Sequence, residues 1–539
     1  MNRFQSRIDP SGGEFKNNRA DMLGLIDKLR ELNSRGASRS EVRKPRFEQR
    51  GQITPRERLT RLLDPGMPFL TIGNIAGYLF DAKKEEESLP GGNVIAGIGY
   101  VNGVRCAIAV DDSGIQAGAL TGATVYRIQR SQEIALEQKM PFVHLVESAG
   151  ANLMEYRVEG FLAGGKLFAN QALLSKAGIP VITILHGSST AGGAYMPGMS
   201  DYVIGVRGRG HAFLAGPPLL EAATGEIATE DELGSAAMHA TVSGLVEYLA
   251  EDDGEGIDIA RNVIRHLHWN SGEMSGFHEG RPPAYDPDEI AGIVPVDYRK
   301  PYDVREVVAR VVDDSDFLDF KSGFGISTVC MQAEVHGQAC GLIGNNGPID
   351  PDGAAKATQF LQLCDQSGIP VVFLQNTTGY MVGAAYERAG MIKHGSKMIQ
   401  SVRNIDVPRL TFMIGASFGA GNYGMCGRGY DPDFLYTWPN ATTGVMGGDQ
   451  AARTMSIVAE RAAQEKGEKI DPEMRKQQEA MLTHHFDSQS GAFYTSGHMQ
   501  DDGMIDPRET RQTLGCLLSI VNEGRRRTVR PNSFGVARI

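Results

Sequence analysis

The sequence predicts two α/β domains in tandem, related by an internal duplication, and three observations lead there. At 539 residues the chain exceeds what one hydrophobic core usually organises, so two domains of about 250 residues are the natural division. Two apolar strand-like runs recur at nearly one spacing: Pro141–Gly150 answers Pro370–Gly379 at an offset of 229, and Pro180–Gly193 answers Pro408–Gly421 at 228. A helical stretch precedes each run, which is the alternation of parallel strands with helical crossovers.

Taken in chain order, residues 14–35 have the pattern of an amphipathic helix. Arg58 to Leu70 passes from a helix-like stretch through an acidic turn to Phe-Leu, and Arg305 to Leu318 repeats this at an offset of 248, which requires an insertion. Helices are expected over 123–138 and 164–176 in the first half, and over 353–366 and 389–402 in the second. Between the halves, Ser275 to Tyr302 is rich in Pro, Gly and Asp and reads as an exposed linker. Asp471 caps a further helix, expected to reach about Leu482, with Pro472 in its first turn. The expected division is a helical extension over 1–40, an N-terminal domain over 41–280 and a C-terminal domain over 281–539.

Composition narrows the function. Hydrophobic residues at 41% and charged residues at 22% are ordinary for a globular chain, and a net charge of -11 argues weakly against nucleic acid while leaving room for a local basic pocket. The six cysteines never form a C-x-x-C pair, so reduced thiols in a cytoplasmic setting are expected, with no disulfide framework and no metal site. No apolar run approaches the length of a membrane span, and the first residues mix charge and polarity, so neither a membrane partner nor an export signal is expected.

The chemistry is expected in two loops, Ala191-Gly192-Gly193-Ala194 and Gly419-Ala420-Gly421-Asn422, each placed where an apolar strand gives way to a helix. Amides at a helix start are unpaired donors, and small side chains let a ligand reach them, so two amides aimed at one oxygen make an oxyanion hole. Small residues could equally serve tight helix–strand packing; their recurrence at the same place in both halves favours the donor reading. Gly415-Ala-Ser417-Phe-Gly419 matches a nucleophile elbow, but the equivalent Ser189 lacks the pattern and no acid and histidine follow in order. Gly160 to Leu167 approaches a phosphate loop yet has Leu167 where Mg²⁺ needs a hydroxyl. His484 and His485 read as surface histidines, and Arg525 to Arg527 as a solvated basic tail.

Further motifs accompany the loops: Arg50-Gly-Gln-Ile-Thr-Pro-Arg56, the continuation of the first loop through Asp201, Phe213-Leu-Ala-Gly-Pro-Pro218, Ala223-Thr-Gly-Glu226, Trp438-Pro-Asn440, Val445-Met-Gly-Gly-Asp-Gln450 and Asp501-Asp-Gly-Met-Ile-Asp506. Together they resemble the carboxyltransferase (β) subunits of biotin-dependent acyl-CoA carboxylases, in the methylcrotonyl-CoA and geranyl-CoA carboxylase branch, over about residues 20–525. The resemblance implies two crotonase-like domains and a homohexameric β core. It also implies an active site between the N-domain of one subunit and the C-domain of another, and carboxybiotin supplied by a biotin carboxylase/biotin carrier α subunit. It places the Gly192 and Gly193 amides on the acyl thioester, with Ala149, Gly150, Ala169, Ala191, Ala194 and Tyr195 around the acyl-CoA. It places the Ala420 and Gly421 amides on biotin, with Thr378, Gly379, Phe418, Gly419 and Asn422 beside it. Related decarboxylases, transcarboxylases and a noncatalytic paralogue share the pattern and remain alternatives. The chain departs from methylcrotonyl-type subunits at Glu147-Ser-Ala-Gly-Ala-Asn152 and at Ala169, where that type carries a bulky aromatic; the implied substrate is methylcrotonyl-CoA or a larger acyl-CoA.

Overall fold

The computed structural model describes residues 4–151, 157–269, 280–467 and 471–536; Asn152 lies outside them. The chain forms two compact units, one of Glu31–Gly276 with Ile520–Ile539 and one of Phe277–Ser519 with Met1–Arg30. This division departs from the expected one at both ends of the chain. The helix Gly13–Glu41 starts in one unit and ends in the other. Its early residues Met22 and Ile26 are buried, and the Phe15 ring fills the space beside Gly292, so residues 290–294 are core where an exposed linker was expected. The apolar character of Ile290, Ile293 and Val294 accounts for this. The closing helix Thr510–Arg526 crosses the other way. Beyond its crossing, Glu523 receives the Arg105 guanidinium at 2.8 Å, and the Asn532 amide donates to the Lys176 carbonyl at 2.9 Å.

In the unit holding Glu31–Gly276 the described strands are β1 (Leu70–Thr71), β2 (Val94–Val101), β3 (Val104–Asp111), β4 (Phe142–Val146), β5 (Val181–Leu185), β6 (Ser188–Thr190), β7 (Tyr202–Val206), β8 (His211–Phe213) and β9 (Tyr248–Ala250). The main sheet runs β1-β2-β3-β4-β5-β7-β9, antiparallel at β1/β2 and β2/β3 and parallel from β3 onward, while β6 pairs with β8. Strands β3 to β5 are buried along their whole length, as continuous apolar runs in parallel sheets are. Ile108, Val143, Ile182 and Ile204 meet Ile257 and Ile264 of the helix Asp253–His266 in the core.

The second unit repeats the plan with β10 (Phe317–Phe320), β11 (Thr328–Val335), β12 (Gln338–Asn345), β13 (Val371–Thr377), β14 (Arg409–Phe418), β15 (Phe434–Thr437), β16 (Thr442–Gly444) and β17 (Gly503–Met504). Its order is β10-β11-β12-β13-β14-β15-β17 with the same sequence of antiparallel and parallel pairings, and the end of β14 pairs with β16 as β6 pairs with β8. Register agrees as well: Phe142 faces Val181, and Val371 faces Arg409. The principal difference is a pair of long helices, Gly448–Lys466 and Pro472–Ser490, where the first unit has only the short helices Pro217–Thr224 and Glu230–Gly234.

The crossover helices fall where the periodicity puts them. Gly122–Glu137 is capped by the Thr121 hydroxyl, and Pro351–Gln366 by Asp350, which accepts from the Gly353 amide at 2.6 Å. Met391–Asn404 and Lys166–Ala177 follow, the latter preceded by a separate short helix, Val158–Gly164. No helix among the described residues is long and apolar enough to cross a membrane.

Candidate functional site

Each unit ends its second parallel strand in a tight helical turn that leans on the end of the strand before it. In the first unit Ser148 pairs with the segment leading into the turn: its amide donates to the Ser188 carbonyl and its carbonyl accepts from the Thr190 amide, both at 3.1 Å. The Ser148 hydroxyl donates to the Gly118 carbonyl (2.9 Å) and accepts from the Gly150 amide (3.2 Å), and the Leu120 amide closes the loop on the Gly150 carbonyl at 2.8 Å. The second unit repeats the hydroxyl bonds and the loop closure at an offset of 229: Thr377 bonds the Gly347 carbonyl and the Gly379 amide, both at 3.3 Å, and the Ile349 amide meets the Gly379 carbonyl at 2.9 Å.

The turns open on matched left-handed residues, Ala191 at φ 51° and Gly419 at φ 54°. An alanine there costs roughly 1–2 kcal/mol, so the conformation is imposed by its surroundings. The amides that follow, of Gly192 and Gly193 and of Ala420 and Gly421, lie in the first helical turn, where N–H groups have no intrahelical acceptor. Close packing explains the glycines. A Cβ on Gly193 would stand 2.9 Å from the Ser189 hydroxyl, and one on Gly421 would stand 2.9 Å from both the Gly379 Cα and the Thr377 methyl. Gly192 faces open space apart from the edge of Phe168, whose ring meets Tyr195 edge-on at 5.8 Å between centroids.

Of the residues expected on the acyl-CoA side, Ala149, Ala169, Ala191 and Tyr195 are exposed, whereas Gly150 and Ala194 are buried. On the second, Thr378 and Ala420 are exposed, while Gly379 and Phe418 are buried, the Phe418 ring packing on Tyr298 at 5.1 Å. Asn422 does not point outward. Its side-chain amide donates inward to the Ser417 hydroxyl at 2.8 Å.

The sequence reading missed a buried ionic cluster directly behind the first turn. Arg58 bonds Glu147 at 2.7 Å and Asp253 at 3.2 Å, Asp253 accepts from His186 Nδ1 at 2.9 Å, and Gln52 donates to the His186 carbonyl at 2.9 Å. Charged residues ending apolar strands, Glu147 after β4 and His186 after β5, were the available signal. The cluster fixes the chain entering β6, because the Glu147 side chain fills the space where a Cβ on Gly187 would lie.

Burial opposes ionisation of both carboxylates, but Arg58 holds Glu147 below its ordinary value, and His186 and Arg58 hold Asp253 at about 2. Burial, helped by the Arg58 charge, depresses His186 despite its contact with Asp253. The folded ring thus takes up its proton at lower pH than the unfolded one. Its contribution to stability is complete above about pH 6.5 and declines as pH falls below that; Asp253 adds a second decline from about pH 3.9 downward. The thermal midpoint is therefore expected to fall between about pH 7.5 and about pH 5.5, with a shallower slope in His186→Gln. An identical slope in that variant would remove His186 as the cause.

The competing motifs resolve structurally. Ser417 is fully buried, its hydroxyl donating to Gln375 at 2.5 Å, so it cannot act as a nucleophile on a substrate. Gly160 to Leu167 is split between two helices, and Lys166 pairs with Glu133. His484 and His485 are exposed on their helix. Arg527 corrects the reading of a solvated tail: it pairs with Glu523, donates to the Lys139 carbonyl at 2.7 Å and lies over Trp269. All six cysteines are buried and free, and burial pushes thiols such as Cys106 upward, away from reactivity. Among the described residues no cluster of His, Cys, Asp and Glu could hold a metal ion.

Comparison with known proteins follows the same lines. A family model described as carboxyl transferase domain matches residues 46–535. The chain is 42% identical over 544 residues to a probable biotin-dependent acyl-coenzyme A carboxylase beta2 subunit of Mycobacterium tuberculosis, covering 99% of this chain and 100% of that protein. It is 40% identical over 523 residues to the mitochondrial methylcrotonoyl-CoA carboxylase beta chain of Dictyostelium discoideum, covering 96% and 88%. Among solved structures, the geranyl-CoA carboxylase beta subunit of P. aeruginosa is 50% identical and superposes with a TM-score of 0.92 over 100% of both chains.

Proposed function

The chain belongs to the carboxyl transferase domain family, and from that premise we propose that it carboxylates a branched acyl-CoA larger than methylcrotonyl-CoA. It is a β subunit of the biotin-dependent acyl-CoA carboxylases, in the methylcrotonyl-CoA and geranyl-CoA carboxylase branch. The observation that carries the site assignment is the pair of equivalent turns, each presenting first-turn amides behind small residues.

The Gly192 and Gly193 amides face the thioester carbonyl and stabilise the charge that grows on its oxygen as the allylic γ-carbon, conjugated to it through the double bond, loses a proton. Ala420 and Gly421 do the same for the ureido oxygen of biotin. Biotin, carried by a partner α subunit, supplies the carboxyl group and, at its ureido nitrogen, the base. The donor set fits: around the second turn a Cβ on Gly379 would meet only the Phe418 carbonyl, at 3.5 Å, so a flat ring has access to the amides. Preorganised amides spend no energy on reorientation as charge develops, which suits a reaction whose base arrives with biotin. Ala149, Gly150, Ala191, Ala194 and Tyr195 line the acyl-CoA side, and Thr378, Gly379, Phe418 and Gly419 the biotin side.

The substrate reading rests on Ala169. It is exposed on its helix next to Phe168, whose ring edge is the nearest group to Gly192, so we take a small residue there to leave room for a longer acyl chain, and the protein is half identical to a geranyl-CoA carboxylase subunit. With the cognate α subunit, ATP and bicarbonate, a panel of acyl-CoAs is expected to give the highest kcat/KM with a geranyl-sized chain; preference for methylcrotonyl-CoA would sink this reading. Ala169→Phe is expected to lower kcat/KM on the longer substrate by about tenfold or more while sparing the short one. Equal losses on both would remove the pocket argument.

The same reading makes the two units crotonase-like copies of one ancestral domain, supported by the shared strand order and the hydrogen bonds repeated at 229. It also makes the working form a homohexamer in which the acyl-side turn of one copy faces the biotin-side turn of another. Tyr195 and Tyr423, at equivalent places on the two turns, are each 49% exposed, and Leu162, Ile392 and Val445 are exposed as well. Apolar surface of this kind on both units is what a partner copy would cover. The reduced, buried cysteines suit a cytoplasmic location.

A further inference from the structure

We infer that Gln375, Ser417 and Asn422 form a positioning chain that sets the biotin-side oxyanion turn, an inference resting on the assignment of that turn to biotin. Gln375, at the end of β13, is fully buried and acts in two directions. Its amide nitrogen donates to the Met425 carbonyl at 2.7 Å, just past the turn, and its carbonyl oxygen accepts from the Ser417 hydroxyl at 2.5 Å, just before it. Ser417 in turn accepts from Asn422 inside the turn, at 2.8 Å. One glutamine therefore ties the entry, the middle and the exit of the segment bearing the Ala420 and Gly421 amides to a core strand. The Ser417 carbonyl is held as well, by the Thr443 hydroxyl at 2.7 Å.

The first unit has no such chain among its described residues. At the equivalent positions it carries Val146 and Ala194, and Ser189, the counterpart of Ser417, is buried with its hydroxyl unpartnered. Two turns of the same backbone are thus held differently. A turn fixed by side-chain bonds at three points suits a ligand arriving on a mobile carrier, because the amides must keep their aim while the site is vacant. The serine of the G-x-S-x-G match thereby gains a role: it aims the amides without touching the reactants.

The test uses the assembled chain and free biotin as carboxyl acceptor, with the carboxylated acyl-CoA as donor. Ser417→Ala is expected to lower kcat by about ten- to a hundredfold and to raise KM for biotin, leaving KM for the acyl-CoA near wild type. Ser417→Thr, which restores the hydroxyl, is expected to recover most of the loss. Asn422→Ala installs the residue that the other unit carries at this place, so it is compatible with the fold; it is expected to give a smaller loss of the same kind. A lowered Tm with wild-type kcat and KM in both alanine variants would overturn the positioning role. A rise in KM for the acyl-CoA with KM for biotin unchanged would instead overturn the assignment of this turn to biotin.

Discussion

Gly421→Val is expected to reduce carboxyl transfer by about 10²- to 10³-fold, and Gly193→Val by a smaller factor, because each displaces the amides of one oxyanion turn. The backbone conformation is not the obstacle, since neither glycine has a positive φ. Space is. At Gly421 an added Cβ meets the Gly379 backbone and the Thr377 methyl at 2.9 Å, and the backbone of a buried strand end cannot swing aside as a flexible side chain would. The turn must rise, and its N–H groups lose their common target. At Gly193 the obstruction is the Ser189 hydroxyl at 2.9 Å and the Ser148 Cβ at 3.3 Å, so the displacement is expected to be smaller but in the same direction. Gly429→Ala, with nothing within 4 Å of the new methyl, is the control and should transfer carboxyl at close to the wild-type rate. Folded Gly421→Val protein that transfers carboxyl normally would refute the assignment of these amides.

Arg58→Ala is expected to destabilise the unit built on Glu31–Gly276 by about 3–5 kcal/mol, the cost of removing one partner from a buried charge cluster. Arg58 is 1% exposed and is the cation shared by Glu147 and Asp253. Without it two carboxylates stay buried with only neutral donors near them. Those groups would then take up protons more readily, so the deficit should shrink as pH falls from about 7 toward about 5. Denaturant midpoints at the two pH values measure this; a deficit independent of pH would mean that lost packing, not charge, is responsible. Pairing Arg58→Met with Glu147→Gln and Asp253→Asn is expected to regain much of the loss, because no unpaired charge then remains inside. Since Glu147 shapes the approach to β6, activity should fall along with stability in the single variant.

How much of this could be read from the sequence depends on distance along the chain. Strands β4, β5, β13 and β14 are continuous apolar runs ending in small or polar residues, and the helices Gly122–Glu137 and Pro351–Gln366 carry their own caps, so local pattern located them. The two turns were visible because small residues repeat at a fixed offset. Relations across many residues were not visible. Arg58 and Asp253 are separated by 195 positions, and nothing in either neighbourhood points to the other. Periodicity assigns an apolar face to the helix Gly13–Glu41 but does not say which unit covers it. Asn422 reads from its motif as a ligand contact; only the backbone of the turn determines that its amide points toward Ser417. Likewise Arg527 sits in a run of arginines, and its packing over Trp269 depends on a residue 258 positions earlier.

The exchange of chain ends between the units bears on the order in which this protein can be made. Residues 31–276 leave the ribosome long before Glu523, which Arg105 needs, and before the backbone at Arg530, which lies against Gly178. Nor can the first thirty residues find their place until Gly292 and Glu306, the neighbours of Phe15 and Ser6, have been translated. Domains usually fold one after another during synthesis, the N-terminal one first. Here the unit of residues 31–276 must wait for the segment beyond Ile520, so its core closes only after the other unit's strands have been made.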